Sequence, residues 1–107
     1  MIGNELKIAG QARAVKRAGS QWLADALVAL KHFCTEEYVA GLSDVTIDNF
    51  REAGRVREPA NANAWGALPK AAIKAGYLKP TERTEAALRP AAHSRRVRVW
   101  DIAPEAL

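Results

Sequence analysis

Apolar residues recur at helical intervals over residues 21–38, QWLADALVALKHFCTEEY. Leu23, Leu27, Leu30 and Cys34 share one face, with Trp22, Ala26 and Phe33 beside them. That spacing predicts the strongest helix of the chain, with a broad core-facing stripe and Ser20 as its N-cap. Residues 4–18, NELKIAGQARAVKRA, carry a narrower stripe of Ile8, Ala12 and Val15. Gly10 weakens this stripe by roughly 1 kcal/mol relative to alanine, and Gly19 is expected to end it. The first 19 residues therefore read as a separate N-terminal helix or a mobile basic arm.

Beyond Gly41 the pattern shortens. Thr46 is placed to cap a short helix, IDNFREA, with Ile47 and Phe50 pointing inward and Gly54 stopping it. GRVREPANAN reads as a loop. A further helix is expected over residues 64–75, capped by Asn63 and stopped by Gly76. Its core face is Trp65, Leu68, Ala72 and Ala75, and Lys70 and Lys74 lie four apart on another face. Pro69 falls in the second turn of that helix and should kink it. YLKP begins a short strand, which residues 81–88 either continue or leave. RPAAHS forms a turn. Residues 95–102 alternate as a strand, with Val97 and Val99 on one side and Arg96 and Arg98 on the other.

Helices followed by a terminal hairpin predict a small α+β domain. The last three helices and the hairpin match a mainly helical winged helix-turn-helix, with the C-terminal β-hairpin as wing and an extra N-terminal helix. The expected organisation is an N-terminal helix or arm over 1–19, the winged-helix domain over 20–102 and a tail over 103–107.

Charge sharpens this picture. The 107 residues carry a formal net charge of +4, unevenly spread. Residues 20–52 are net −4, whereas residues 79–100 are net +4. A chain polarised in this way offers one face to a polyanion and withholds another. Cys34 is the lone cysteine, so no internal disulfide can form, which fits a reducing compartment. The most apolar stretch, residues 22–34, is broken by Asp25, Lys31 and His32 and is shorter than the ~20 residues a membrane span needs. No signal peptide is expected, and the expected setting is the cytoplasm, away from membranes.

The segment 63–100 resembles small winged-helix proteins encoded by bacteriophages and prophages. The resemblance is carried by Asn63, WGAL (residues 65–68), KAGYL (residues 74–78), Pro80, RP (residues 89–90), His93 and RVRVW (residues 96–100). Two positions depart from that pattern: Pro69 stands where an aromatic residue is usual, and Ser94 where glycine is. The resemblance implies a winged-helix fold, DNA binding as the family-level function and, for a phage protein, residence in the host cytoplasm.

Candidate chemistry concentrates at the C-terminal half. Arg89, Arg95, Arg96 and Arg98 lie on or beside the hairpin, where they can neutralise phosphates or enter a narrow minor groove. The alternative is that Arg96 and Arg98 form the wet face of an ordinary strand. Asn61 and Asn63 stand near the start of the 64–75 helix, where asparagine can read adenine, although Asn63 is equally a cap. Lys70 and Lys74 suit backbone positioning. His93 is a turn residue or a phosphate contact. Trp22, Trp65 and Trp100 could stack on bases, but their spacing favours core packing. His32, Cys34 and His93 are too sparse for a structural zinc site. No catalytic constellation, metal site or cofactor motif is found, so the chain reads as non-enzymatic.

The expected partner is double-stranded DNA, bound by a transcriptional regulator or a replication or recombination accessory factor. A homodimer through the N-terminal helices fits such a role, since dimers suit palindromic sites. The rival is a non-enzymatic phage interaction module that docks on a host protein and inhibits its complex, as a counter-defence protein would. Its acidic stretch over residues 36–52 would meet a basic partner. A third reading is an RNA-binding or general nucleic-acid architectural protein.

Overall fold

The computed structural model describes the backbone of residues 2–87 and 95–107, and the side chains within those ranges from Gly19 onward. The predicted turn RPAAHS, with Arg89 and His93, lies outside the described residues.

The chain opens with a single long helix, α1 (Ile2–Val39). At 1.5 Å per residue its 38 residues run about 57 Å, which sets the 59 Å long axis of the molecule. The expected break at Gly19 does not occur, and Ser20 is not a cap. Gly19 sits within the helix and outside the left-handed region. A glycine inside a helix costs about 1 kcal/mol against alanine, whereas starting a new helix requires a costly nucleus. Continuing is cheaper, because the turns that follow are anchored by Trp22, Ala26, Leu30, Phe33 and Cys34, all buried. Leu23 and Leu27 flank that stripe and are half-buried.

After Gly41 comes a strand the sequence pattern does not predict, β1 (Asp44–Thr46). It leads directly into α2 (Ile47–Glu52). Thr46 caps α2 as expected: its hydroxyl oxygen accepts the Asn49 N–H at 3.0 Å, and Phe50 is fully buried. Gly54 follows the helix with φ of 68° and donates its N–H to the Arg51 carbonyl.

The next helix differs from expectation at its start. Asn61, not Asn63, is the cap, its side chain accepting the Asn63 N–H at 2.9 Å. Residues Ala62–Gly66 form a 3₁₀ turn, and α3 (Ala67–Ala75) begins only afterwards. Pro69 is therefore in the first turn of α3, where its missing N–H has no intrahelical partner to lose. The expected mid-helix kink is replaced by a change from 3₁₀ to α winding ahead of the proline. Leu68 and Ala72 are buried, whereas Ala75 is exposed. Gly76 ends α3 with φ of 87°. The Gly76 and Tyr77 N–H groups then take up the Ile73 and Ala72 carbonyls.

Two strands complete the fold, β2 (Leu78–Ala86) and β3 (Arg96–Ile102). The sheet is antiparallel in the order β1-β3-β2, so β3 is central. The chain is thus α+β, with three α-helices and a small three-stranded sheet among the described residues. Pro80 lies opposite Trp100, yet Thr84 lies opposite Arg98, so β2 bulges over residues 81–83. Thr81 stabilises the bulge by donating its hydroxyl to the Val99 carbonyl at 2.6 Å and accepting the Arg83 N–H at 3.1 Å. Such a bulge re-aims the side chains it carries.

The core lies between α1, α2, α3 and one face of the sheet. Trp22, Trp65, Phe50 and Phe33 form a chain of edge-to-face contacts, with successive ring centroids 4.9, 6.3 and 5.5 Å apart. All three tryptophans are buried, so core packing is their role here.

Candidate nucleic-acid interface

The central strand brings Arg96 and Arg98 to the surface by simple alternation, with Arg95 just before it. Trp100, next on that side after Arg98, turns into the core. The Arg98 guanidinium lies over the Trp100 ring at 5.2 Å. Its Nε also donates to the carbonyl of Thr81, a residue of the β2 bulge, at 3.3 Å. Arg96 donates to both the Thr84 carbonyl, at 2.6 Å, and the Thr84 hydroxyl. These partners are neutral. They orient the guanidinium groups without cancelling their charge.

Facing these arginines across a cleft of about 350 Å³ are α2 and the start of α3. Arg95, Arg96 and Arg98 line one side, and Arg51 and Asp48 of α2 the other. Trp65, Trp100 and Pro69 also contribute to the lining. Lys70 is exposed and follows Pro69 in the chain, and Lys74, also exposed, lies one turn further along α3.

The contrast with the other described arginines is sharp. Arg55 pairs with Glu36, and Arg57 with Asp25 at 2.8 Å. Arg51 is held by Glu58 at 3.1 Å. Arg83, aimed by the bulge, bridges Asp44 (2.8 Å) and Asp101, tying β1 and β3 together. The Asp44 hydrogen bond, with the Asp101 charge, holds Arg83 above its ordinary pKa. Hydrogen bonds from Arg57 and Arg55 hold the Asp25 and Glu36 carboxyls below theirs. Among the described residues, Arg95, Arg96, Arg98, Lys70 and Lys74 make no ion pair with a carboxylate.

Asn61 and Asn63 do not join this group. Both line a different hollow of about 770 Å³, between α1 and the segment that precedes α3, beside Trp22 and Pro59. The Asn61 side chain is engaged as the cap. A third hollow, of about 510 Å³, is acidic: Glu37, Asp44, Glu52 and Glu85 line it over Phe33 and Val45. The cleft is thus predominantly cationic, with Asp48 among its lining, and the third hollow acidic.

Arg51 is the cleft residue that sequence reasoning missed. It stands in an acidic stretch, and its one local signal is its place beside the buried Phe50 on a short helix. Its arginine neighbours in the cleft come from the far end of the chain, at residues 95–98. Among the described residues no cluster of His, Cys, Asp or Glu could hold a metal ion, and no helix is long and apolar enough to cross a membrane.

The chain matches no protein-family model, and no curated protein or solved structure is significantly similar to it.

Proposed function

We propose that this chain is a winged-helix protein that binds double-stranded DNA, with α3 presented to the major groove and the β2–β3 ribbon as wing. The element order α1-β1-α2-α3-β2-β3, with the β2–β3 ribbon at its C-terminal end and β3 between β1 and β2, is compatible with that fold and supports the reading. One observation carries the function. Among the described residues, Arg51, Arg55, Arg57 and Arg83 are each held by a carboxylate, and the three arginines at the ribbon are not. A line of phosphates supplies the counter-charge those three lack, and releases its own counterions in doing so. Lys70 and Lys74 on the exposed side of α3 add backbone contacts. A regulator, or an accessory factor at a replication or recombination site in a phage-infected cell, is the role this supports.

The test is a salt series with a random-sequence duplex. Affinity should fall steeply with salt. Arg96→Ala with Arg98→Ala should weaken binding and flatten the slope of log K against log salt by about 0.9 for each phosphate no longer neutralised, with the thermal transition unchanged. A folded double mutant that binds like the wild type removes the ribbon from the interface.

The acidic hollow favours a second reading. Glu37, Asp44, Glu52 and Glu85 over an apolar floor suit a basic segment of a host protein. Such docking would be insensitive to the ribbon arginines, so the same double mutant separates the two.

A further inference from the structure

Arg51 is the one arginine, among the described residues, that both lines the cationic cleft and carries a carboxylate. Its Nε meets Glu58 Oε1 at 3.1 Å, and its Nη2 meets Glu58 Oε2 at 3.2 Å. The same Oε2 accepts the Trp65 indole N–H at 3.0 Å, and the Arg51 guanidinium lies over the Trp65 ring at 5.1 Å. One loop carboxylate therefore grips both an arginine and the indole beneath it. The Glu58 side chain is 62% exposed and that of Arg51 26%. The acid is on the solvent side, and the base lies deeper, on the wall of the cleft.

Resting on the DNA reading above, we infer that Glu58 is a built-in competitor of DNA, holding from beside the cleft the Nε–Nη2 edge of Arg51 that a backbone phosphate in the cleft would take. The guanidinium fork matches carboxylate and phosphate with the same two-point geometry, so one can replace the other. Glu58 is itself mostly exposed and lines the neighbouring hollow beside Trp22 rather than the cleft, so water can solvate its carboxylate once Arg51 turns to a phosphate. The cation–π contact with Trp65 keeps Arg51 aimed along the cleft wall when Glu58 lets go. Glu58 thus holds affinity for DNA down, and a fourth arginine joins the grip only when a phosphate is present. The other arginine–carboxylate pairs, such as Arg55–Glu36, do not line the cleft and serve no such purpose.

The test uses the full chain and a random-sequence duplex, with binding measured by fluorescence anisotropy across a salt series. Glu58→Gln keeps an oxygen to accept the Trp65 N–H but removes the charge. It should bind about five- to tenfold more tightly than wild type at 0.1 M salt, with the slope unchanged, since Arg51 meets the phosphate in both proteins. Adding Arg51→Ala should abolish that gain. Glu36→Gln makes the same change in net charge and frees Arg55 outside the cleft, and should give no such gain in affinity. Wild-type binding with no gain from Glu58→Gln, or with an equal gain from Glu36→Gln, overturns the competitor and leaves the DNA reading standing. No duplex binding by either the wild type or Glu58→Gln overturns both.

Discussion

Arg83 and Arg98 carry the same side chain to different ends. Arg83, thrown out by the β2 bulge, falls between Asp44 and Asp101 and becomes a clasp across the sheet. Arg98, two strand positions from Trp100, finds a carbonyl and an aromatic face and keeps its charge uncancelled. Partners, rather than residue type, decide which cations are available to a ligand. The same holds for Cys34, whose thiol is pushed up to about 11, first by burial and then by the nearby Glu37. The unfolded thiol ionises near its ordinary value of 9.0, so the fold loses this contribution as pH rises from there through the folded value. At pH 8 the native thiol should react with an alkylating reagent only at the rate of unfolding, and a fast phase under native conditions contradicts its burial. At this scale the sequence exposed Arg96 and Arg98, because strand alternation is a local property. It could not reveal Arg51, whose place in the cleft depends on β3 returning from the far end of the chain. Nor could it show that Asn61 takes the capping bond assigned to Asn63, since either asparagine can serve.

The elements follow the same division between local and distant causes. Gly76 is legible because a left-handed stop after a helix favours glycine, and the structure places it there at φ of 87°. A Cβ at Gly76 would meet Ala106 Cβ at 3.6 Å, an ordinary contact, so the cost of alanine is one of backbone conformation. Gly76→Ala should destabilise the protein by about 1–2 kcal/mol in denaturant unfolding. Unchanged stability would mean that α3 does not end in this way. Gly19 misleads for the opposite reason. Its local preference is overridden by the core contacts of Trp22 and the turns beyond it, which carry the helix through. Pro69 misleads because the 3₁₀ turn over Ala62–Gly66 moves the start of α3 to Ala67, later than the apolar spacing implies. The strand β1 is invisible because so short a segment cannot show alternation. It exists because Val45 and Thr46 can pair with Trp100 and Val99 on the open edge of β3.

Over the whole molecule, the uneven charge of the sequence becomes spatial. The cleft between α2, α3 and β3 gathers Arg51, Arg95, Arg96 and Arg98, while Glu37, Asp44, Glu52 and Glu85 gather around a separate hollow. The sequence blocks foretold a polarised protein but not its dividing line, since Arg51 comes from the acidic block and Glu85 from the basic one. The central claim is that the cationic cleft, and not the acidic hollow, is the face that meets DNA. Titrating a short random duplex into the isotope-labelled protein, with backbone amide shifts followed by NMR, tests it most directly. Shifts centred on Arg51, Lys70, Lys74 and residues 95–98, with Glu37, Glu52 and Glu85 unmoved, are the expected result. Shifts centred on the acidic hollow, or none at duplex concentrations well above ~10⁻⁴ M, the weak end of non-specific DNA binding, contradict it.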